Sequence, residues 1–382
     1  MPPDAPVSGR CDAGFEGVRD ALAENLALRG ERGAEVAVIV EGRLVVDLWC
    51  GWMDKARASP WREDTLVNVF SVGKAFAAVC LLMLVARGEV DLDEPVCRRW
   101  PEFGGAGKDS ITVRQLLSHR AGLAAIGEQL PPGALYDWNR VTTALAGQAP
   151  WWPPGSAHGY HVHTFGFLVG ELVRRVAGEP IGAFLAREIS GRLGVEMSVG
   201  LERTNRSRRA SYAFELPIGG AEAAMEGAEG PAALRARAYL NPPGAMGVGT
   251  VNTAAWMNAE IPSANLHSDA RSIARAYCAL IDAGDPLLDQ AVLREACTET
   301  SVGEDLVLKR PSRFGLGFQL TQPERPLGPG PSGFGHFGAG GSVGFADPQA
   351  GVAFAYVMNR GGAQWQDPRN RALIDATYEA LG

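Results

Sequence analysis

Three hundred and eighty-two residues are enough for two domains or one large one. A composition of 46% hydrophobic and 21% charged residues supports a sizeable core and excludes a disordered chain. Thirty-six basic against 43 acidic residues leave a net charge of −7, which argues against a nucleic-acid binder, since such proteins carry a basic excess.

The stretch Met1–Gly14 lacks a basic start followed by an apolar run, so no signal peptide is expected in it. Phe15–Leu28 has helical apolar spacing. Glu35–Val40 and Leu44–Trp49, split by Glu41-Gly42-Arg43, read as a β-hairpin. Thr65–Phe70 leads into a helix from near Ser71 to Arg87-Gly88. Within it, Ala75–Ala86 is too short to span ~30 Å of hydrocarbon, so no membrane association is expected. Asp91–Pro95 is a turn and Ile111–Ser118 a short helix. Leu130–Gly159 is rich in Pro, Gly and Trp and reads as a loop. Thr164–Ala177 and Ile181–Leu193 read as helices. Arg203–Gly249 is rich in Gly, Ala and Arg and carries no clear element. This stretch and Leu130–Gly159 are expected to shape a pocket entrance. His267–Ala283 and Leu287–Cys297 read as helices, Ser342–Ala346 and Val352–Met358 as strands, and Arg369–Leu381 as a last helix.

Strands therefore cluster at both ends and helices fill the middle. The predicted fold is α+β: an antiparallel sheet flanked by the N- and C-terminal helices. The sheet domain is expected to combine residues 1–95 with 305–382, around a mainly helical insertion over 96–304. Six scattered cysteines with no CxxC pattern read as reduced thiols of a cytoplasmic protein.

Ser71-Val72-Gly73-Lys74 is an S-x-x-K pattern in a chain with only four lysines. Positions i and i+3 share a helix face. Lys74 enters an almost wholly apolar helix, and burial lowers a lysine's pKa, which is how a lysine becomes a general base. Ser71 at a helix start also has free N–H groups nearby, suited to an oxyanion. The alternative is a serine that caps the helix and a lysine that snorkels to solvent.

Tyr160, just before the helix Thr164–Ala177, is a candidate for the further proton-transfer group that a Ser-Lys nucleophile needs, acting where cations lower its pKa. His158, His161 and His163 form H-x-x-H-x-H. No HExxH, cysteine ligand or nearby carboxylate supports a metal there, so no metal is expected.

Gly340-Gly341-Ser342-Val343-Gly344 fits G-x-S-x-G, but a strand rather than a helix follows Ser342, which removes the nucleophile-elbow reading. Too little chain follows for a dinucleotide-binding unit. The glycines of Gly335–Pro348 instead read as a strand edge where a substrate approaches the backbone closely. Backbone N–H groups there are suited to an oxyanion hole, and His336 to a hydrogen bond with substrate.

In this order and spacing, these elements resemble the penicillin-recognising serine hydrolases: the class C β-lactamase-like family and its family VIII carboxylesterase branch. Ser71-Val72-Gly73-Lys74 matches the family's S-x-x-K, Tyr160 its Y-x-N or Y-x-x tyrosine, and His336-Phe337-Gly338 its K-T-G or H/W-x-G element. Leu116–Leu123, Leu92–Val96, Pro154-Gly155 and Gly335–Pro348 look like further family strings. The resemblance runs from about Asp20 to the C-terminus. It implies the same sheet-and-helices fold, with the site between the two parts. It also implies Ser71, Lys74 and Tyr160 as the catalytic group, and Ser71, Ala339, His336 and Gly338 as oxyanion or substrate contacts.

Two departures stand out. Val162 replaces the asparagine that contacts the substrate amide in β-lactam-active relatives, and His336 replaces the lysine that provides a fixed cation. Both favour neutral esters. The expectation is a serine hydrolase that cleaves short-chain carboxylic esters through an acyl-enzyme on Ser71, needs no cofactor and has a small-molecule substrate. The alternatives are a β-lactamase or D-amino-acid peptidase of the same fold and, from another class, a non-catalytic ligand-binding protein.

Overall fold

The computed structural model describes residues 6–214, 230–282, 284–362 and 366–382. Residues 215–229, from the stretch without a clear element, and Ala283, the expected end of one helix, lie outside them.

A nine-stranded antiparallel sheet forms the frame. From edge to edge its strands are Ser8–Cys11, Arg43–Gly51, Gly33–Val40, Val352–Met358, Val343–Asp347, Phe334–Phe337, Gln319–Leu320, Pro311–Phe314 and Ser301–Glu304. The two ends of the chain meet inside it, where Gly33–Val40 pairs with Val352–Met358 from Ala34↔Met358 to Val40↔Val352. The predicted hairpin turns at Glu41-Gly42, whose φ values of 49° and 76° match the tight turn that fits a twisted strand pair. Gly33–Val40 is buried at every position but the last, so side chains on both faces are covered. Helix Ala270–Ile281 covers part of the sheet at Gly344, where a Cβ would lie 2.5 Å from Ile273. The first helix, Glu16–Leu28, packs beside the last, Pro368–Glu379, and Asn25 Nδ2 donates to the Arg369 carbonyl.

The helix Gly73–Ala86 is buried from Gly73 through Leu84 and packs on Thr164–Ala177. A helix enclosed by protein is apolar all round, which explains its sequence. Among the described residues no helix is long and apolar enough to cross a membrane.

Several elements differ from the sequence expectation. Leu130–Gly159 holds a helix, Trp138–Gly147, capped by the Asp137 side chain, which accepts from Arg140 N. His267 and Ser268 belong to a short strand, Leu266–Ser268, and the helix starts only after Asp269, whose carboxylate accepts from Ser272 N. The expected helix Ile181–Leu193 is α-helical over Ile181–Leu185 and then widens into a π-helical segment, Ala186–Gly191. Four strands join the two expected near the C-terminus: Ser301–Glu304, Pro311–Phe314, Gln319–Leu320 and Phe334–Phe337.

The sheet also buries an acidic cluster. Glu35 and Asp47 lie on adjacent strands, and Asp269 caps the helix packed over them. Arg271 meets them, with its Nε 2.9 Å from Asp47 Oδ2 and its backbone N–H donating to Glu35 Oε1. Burial, then the charges of Asp269 and Asp47, push the Glu35 carboxyl well above its usual range. Burial pushes Asp269 up to about 6. Carboxyls raised in the folded state stabilise it below their unfolded values near ~4, and that contribution is lost as pH rises through the folded values. Glu35→Gln keeps the shape and removes the charge. In thermal melts it should raise the Tm by about 2–4 °C at pH 8 and leave it unchanged near pH 4. An equal shift at both pH values would show that charge is not the cause.

Candidate active site

Ser71 lies in the turn before the helix Gly73–Ala86. Phe70, just ahead of it, has φ 51°, a conformation that bulky residues rarely adopt. Phe70 is held there by the rings of Tyr212, at 4.8 Å, and Phe214, at 5.3 Å. Ser71 makes no side-chain cap. Val72 occupies the N-cap position, and Lys74 Nζ lies 2.9 Å from Ser71 Oγ. Lys74 Nζ also donates to the Ser263 carbonyl at 3.1 Å and is fully buried, so it does not snorkel to solvent. The capping alternative therefore fails for both residues. Burial holds the Lys74 pKa well below the usual lysine range, because the ammonium would lose its hydration without gaining a counter-charge among the described residues.

Tyr160 covers the other side of the lysine, with Lys74 Nζ 4.8 Å from its ring centre. Burial drives the Tyr160 pKa well up, and a side-chain hydrogen bond with Ser71 only partly opposes this. The tyrosine thus stays protonated at neutral pH, and the cation-lowered phenol expected from sequence is not what this environment produces. Phe314 stacks on its ring at 5.9 Å, and His119 lies at 5.1 Å.

The Tyr160 backbone is fixed by a residue that sequence reasoning missed. Its N–H donates to both oxygens of Asp305, at 3.0 and 3.1 Å. The same buried carboxylate accepts from Val307 N, Leu308 N and Ser312 Oγ. Ser312 Oγ in turn meets His158 Nε2 at 2.9 Å. An aspartate that bonds a backbone N–H 145 positions away leaves no local pattern to find.

The three histidines of H-x-x-H-x-H do not converge on one point. His158 bonds Ser312, while His161 uses Nδ1 at the Gly159 carbonyl and Nε2 at Leu123 N. His163 is buried, and its pKa is lowered to about 3 by burial and by Lys74. Trp151 and Trp152 anchor the loop, donating from their indoles to the Ala125 and Ala157 carbonyls.

The glycine-rich edge lies against the nucleophile turn. A Cβ on Gly338 would meet the Val69 carbonyl at 2.4 Å, and Ser342 Oγ donates to the same carbonyl at 3.3 Å. Ser342 is thus a buried structural serine, as the discarded elbow motif implied. Gly338 N donates to Ser342 O. Among the described residues, the N–H groups of Ser71 and Ala339 donate to no internal acceptor. His336 is fully buried with its ring 6.0 Å from Tyr160. Its Nδ1 lies 2.7 Å from the Phe337 carbonyl, which places the proton there and leaves a lone pair on Nε2. Burial and the nearby Lys74 lower its pKa to about 3, so it is neutral at pH 7.

Ser71, Lys74, Tyr160 and His336 thus lie in one region, with the Gly338 edge against the turn that carries the half-buried serine. The group can activate a hydroxyl nucleophile and present two backbone donors to an oxyanion.

Comparisons with known proteins identify the family. The profile of the family described as Beta-lactamase matches residues 18–379. The chain is 33% identical to "Esterase/beta-lactamase LipL" of Mycobacterium tuberculosis over 359 residues, covering 93% of this chain and 83% of that protein. Its structure is similar to that of a family VIII carboxylesterase, with a TM-score of 0.90, 35% identity and coverage of 98% and 99% of the two chains. A penicillin-binding protein homologue from Caulobacter crescentus gives a TM-score of 0.88 at 39% identity, again covering 98% and 99%.

Asp305→Ala would strip three backbone N–H groups and one hydroxyl of their acceptor. Urea unfolding should show a loss of about 2–5 kcal/mol. Asp305→Asn keeps an oxygen for the N–H groups and should lose less than half as much. Wild-type stability in both variants would show that the carboxylate does not hold this region.

Proposed function

The chain belongs to the beta-lactamase family, and from that premise we propose that it is a serine hydrolase cleaving short-chain carboxylic esters through an acyl-enzyme on Ser71. The observation that carries the reading is the fully buried Lys74 amine, 2.9 Å from Ser71 Oγ and, among the described residues, without a counter-charge. A neutral amine has a lone pair for the serine proton, and its own N–H is directed to the Ser263 carbonyl.

Lys74 takes the Ser71 proton as Oγ attacks the ester carbonyl carbon. The N–H groups of Ser71 and Ala339 hold the oxyanion. When the tetrahedral intermediate collapses, the C–O bond to the alcohol breaks. The leaving oxygen takes a proton from the Tyr160 hydroxyl, which is replenished from the Lys74 ammonium. Water then attacks the acyl-enzyme, its proton passes to the same relay, and the carboxylic acid leaves with Ser71 restored. The substrates proposed are neutral esters, because the buried His336 is uncharged and so offers no fixed cation to a carboxylate. LipL is described as both esterase and beta-lactamase, so slow β-lactam turnover is the second reading.

Purified protein should hydrolyse p-nitrophenyl acetate and butyrate without added metal. A folded Ser71→Ala variant should lose at least about 10⁴-fold in kcat, as loss of a nucleophile typically does. Equal rates in both proteins would sink the serine mechanism. Nitrocefin turnover above ester turnover would favour the β-lactamase reading.

The rate should also depend on pH in a set direction. The active form of Lys74 is neutral and its folded pKa is depressed. Activity should therefore rise with pH through that depressed value and level off above it, at a pH below the usual lysine range. Tyr160, raised by burial, keeps its proton through the ordinary tyrosine range. Lys74→Arg, which stays charged at every accessible pH, should be inactive throughout the kcat profile.

A further inference from the structure

Resting on the serine-hydrolase reading, we infer that Tyr212 and Asn370, with Arg369 behind them, are positioning residues for the oxyanion donor Ala339. None of the three belongs to the proton relay. Each bonds a carbonyl of the loop that carries that donor.

Three successive carbonyls of the loop are held by side-chain donors. The Tyr212 hydroxyl donates to the Ala339 carbonyl at 3.1 Å. Arg369 Nη2 donates to Gly340 O at 3.2 Å, and Asn370 Nδ2 to Gly341 O at 2.8 Å. Gly341 N donates to Gly338 O. The Ala339 N–H shares a trans peptide plane with that Gly338 carbonyl, so it points the opposite way, away from Gly341. Among the described residues it meets no internal acceptor. The loop therefore spends its carbonyls on the protein and leaves the Ala339 N–H for a ligand.

The clamps are themselves rigid. Arg369 and Asn370 sit in the first turn of the last helix, which Asp367 caps. Arg369 Nη1 pairs with buried Glu31 at 3.1 Å, and Glu31 accepts from the Tyr356 hydroxyl. Tyr212 reaches both halves of the oxyanion site. Its ring packs edge-on against Phe70, next to Ser71, and its hydroxyl holds Ala339. A Cβ on Gly340 would collide with that hydroxyl at 2.3 Å, so Gly340 admits the clamp.

Tyr212→Phe removes one hydroxyl and keeps the ring. Asn370→Asp keeps the oxygen that accepts from Asp367 N and loses the donor to Gly341. Losing an oxyanion donor outright costs on the order of 10²–10³ in rate, and loosening one costs a part of that. Each variant should lower kcat on p-nitrophenyl butyrate by about 5–20-fold. KM should stay near wild type in both variants. The melting temperature should stay near wild type for Tyr212→Phe and fall for Asn370→Asp, which buries a carboxyl, so kcat of that variant is read at a temperature where it is fully folded. Affinity for a boronic acid, whose tetrahedral adduct on Ser71 would place an oxygen in the hole, should fall by the same factor as kcat. A purely structural role would not produce that parallel loss. Folded variants with wild-type kcat and boronate affinity, or a change in KM alone, would overturn the inference while leaving the Ser71 mechanism standing. A wild-type protein without Ser71-dependent turnover would overturn both.

Discussion

The site is built around one fully buried amine that, among the described residues, has no counter-ion. Lys74 sits on a helix enclosed by protein from Gly73 to Leu84, and that enclosure removes its water. A buried ammonium is costly, and proteins avoid the cost by pairing or neutralising it. Among the described residues no carboxylate offsets the desolvation, so the balance shifts toward the neutral amine. The hydrophobic sequence that makes the helix a core element is thus also what lowers the pKa of its lysine, as the proposed base requires. The surroundings obey the same constraint. His161, His163 and His336 are lowered to about 4, 3 and 3 by burial first, so none adds a charge at neutral pH.

The remaining groups come from distant parts of the chain, each fixed by backbone hydrogen bonds. Tyr160 precedes a helix and is located by Asp305 through its own N–H. The glycine-rich edge is located by the sheet, where His336 pairs with Gly344 and Phe337 with Val343. Ser71 is located by the positive φ of Phe70, which the Tyr212 and Phe214 rings maintain. A conformation of that kind costs on the order of 1–3 kcal/mol and persists where packing over-determines it.

Legibility in the sequence tracks how local each cause is. Ser71 and Lys74 are readable because one helix turn joins them. The hairpin is readable from alternation and a Gly turn, and Thr164–Ala177 from a sustained apolar stripe. The strands Pro311–Phe314 and Gln319–Leu320 were not, because they are two to four residues long and owe their existence to neighbours already in the sheet. Helix Trp138–Gly147 was hidden by the prolines and tryptophans around it, although Asp137 followed by Val141 and Leu145 is a start signal. Asp305, Tyr212 and Asn370 act through hydrogen bonds to backbone groups 29 to 145 positions away. Backbone acceptors and donors have no residue type, so no motif records such a partnership.

The neutrality of the site also bears on what it can accept. On the proposed mechanism the base works only while Lys74 is uncharged. A substrate carboxylate bound close to it would favour the ammonium, since an opposite charge within ~4–6 Å stabilises the charged form. Such a substrate would quench the base that is meant to act on it, unless a fixed cation absorbed its charge first. A lysine at position 336 would be such a cation. A buried imidazole with its proton on Nδ1 and a bare lone pair on Nε2 cannot be one. Preference for uncharged esters then follows from the same desolvation that activates Ser71, without any contact that recognises the ester itself.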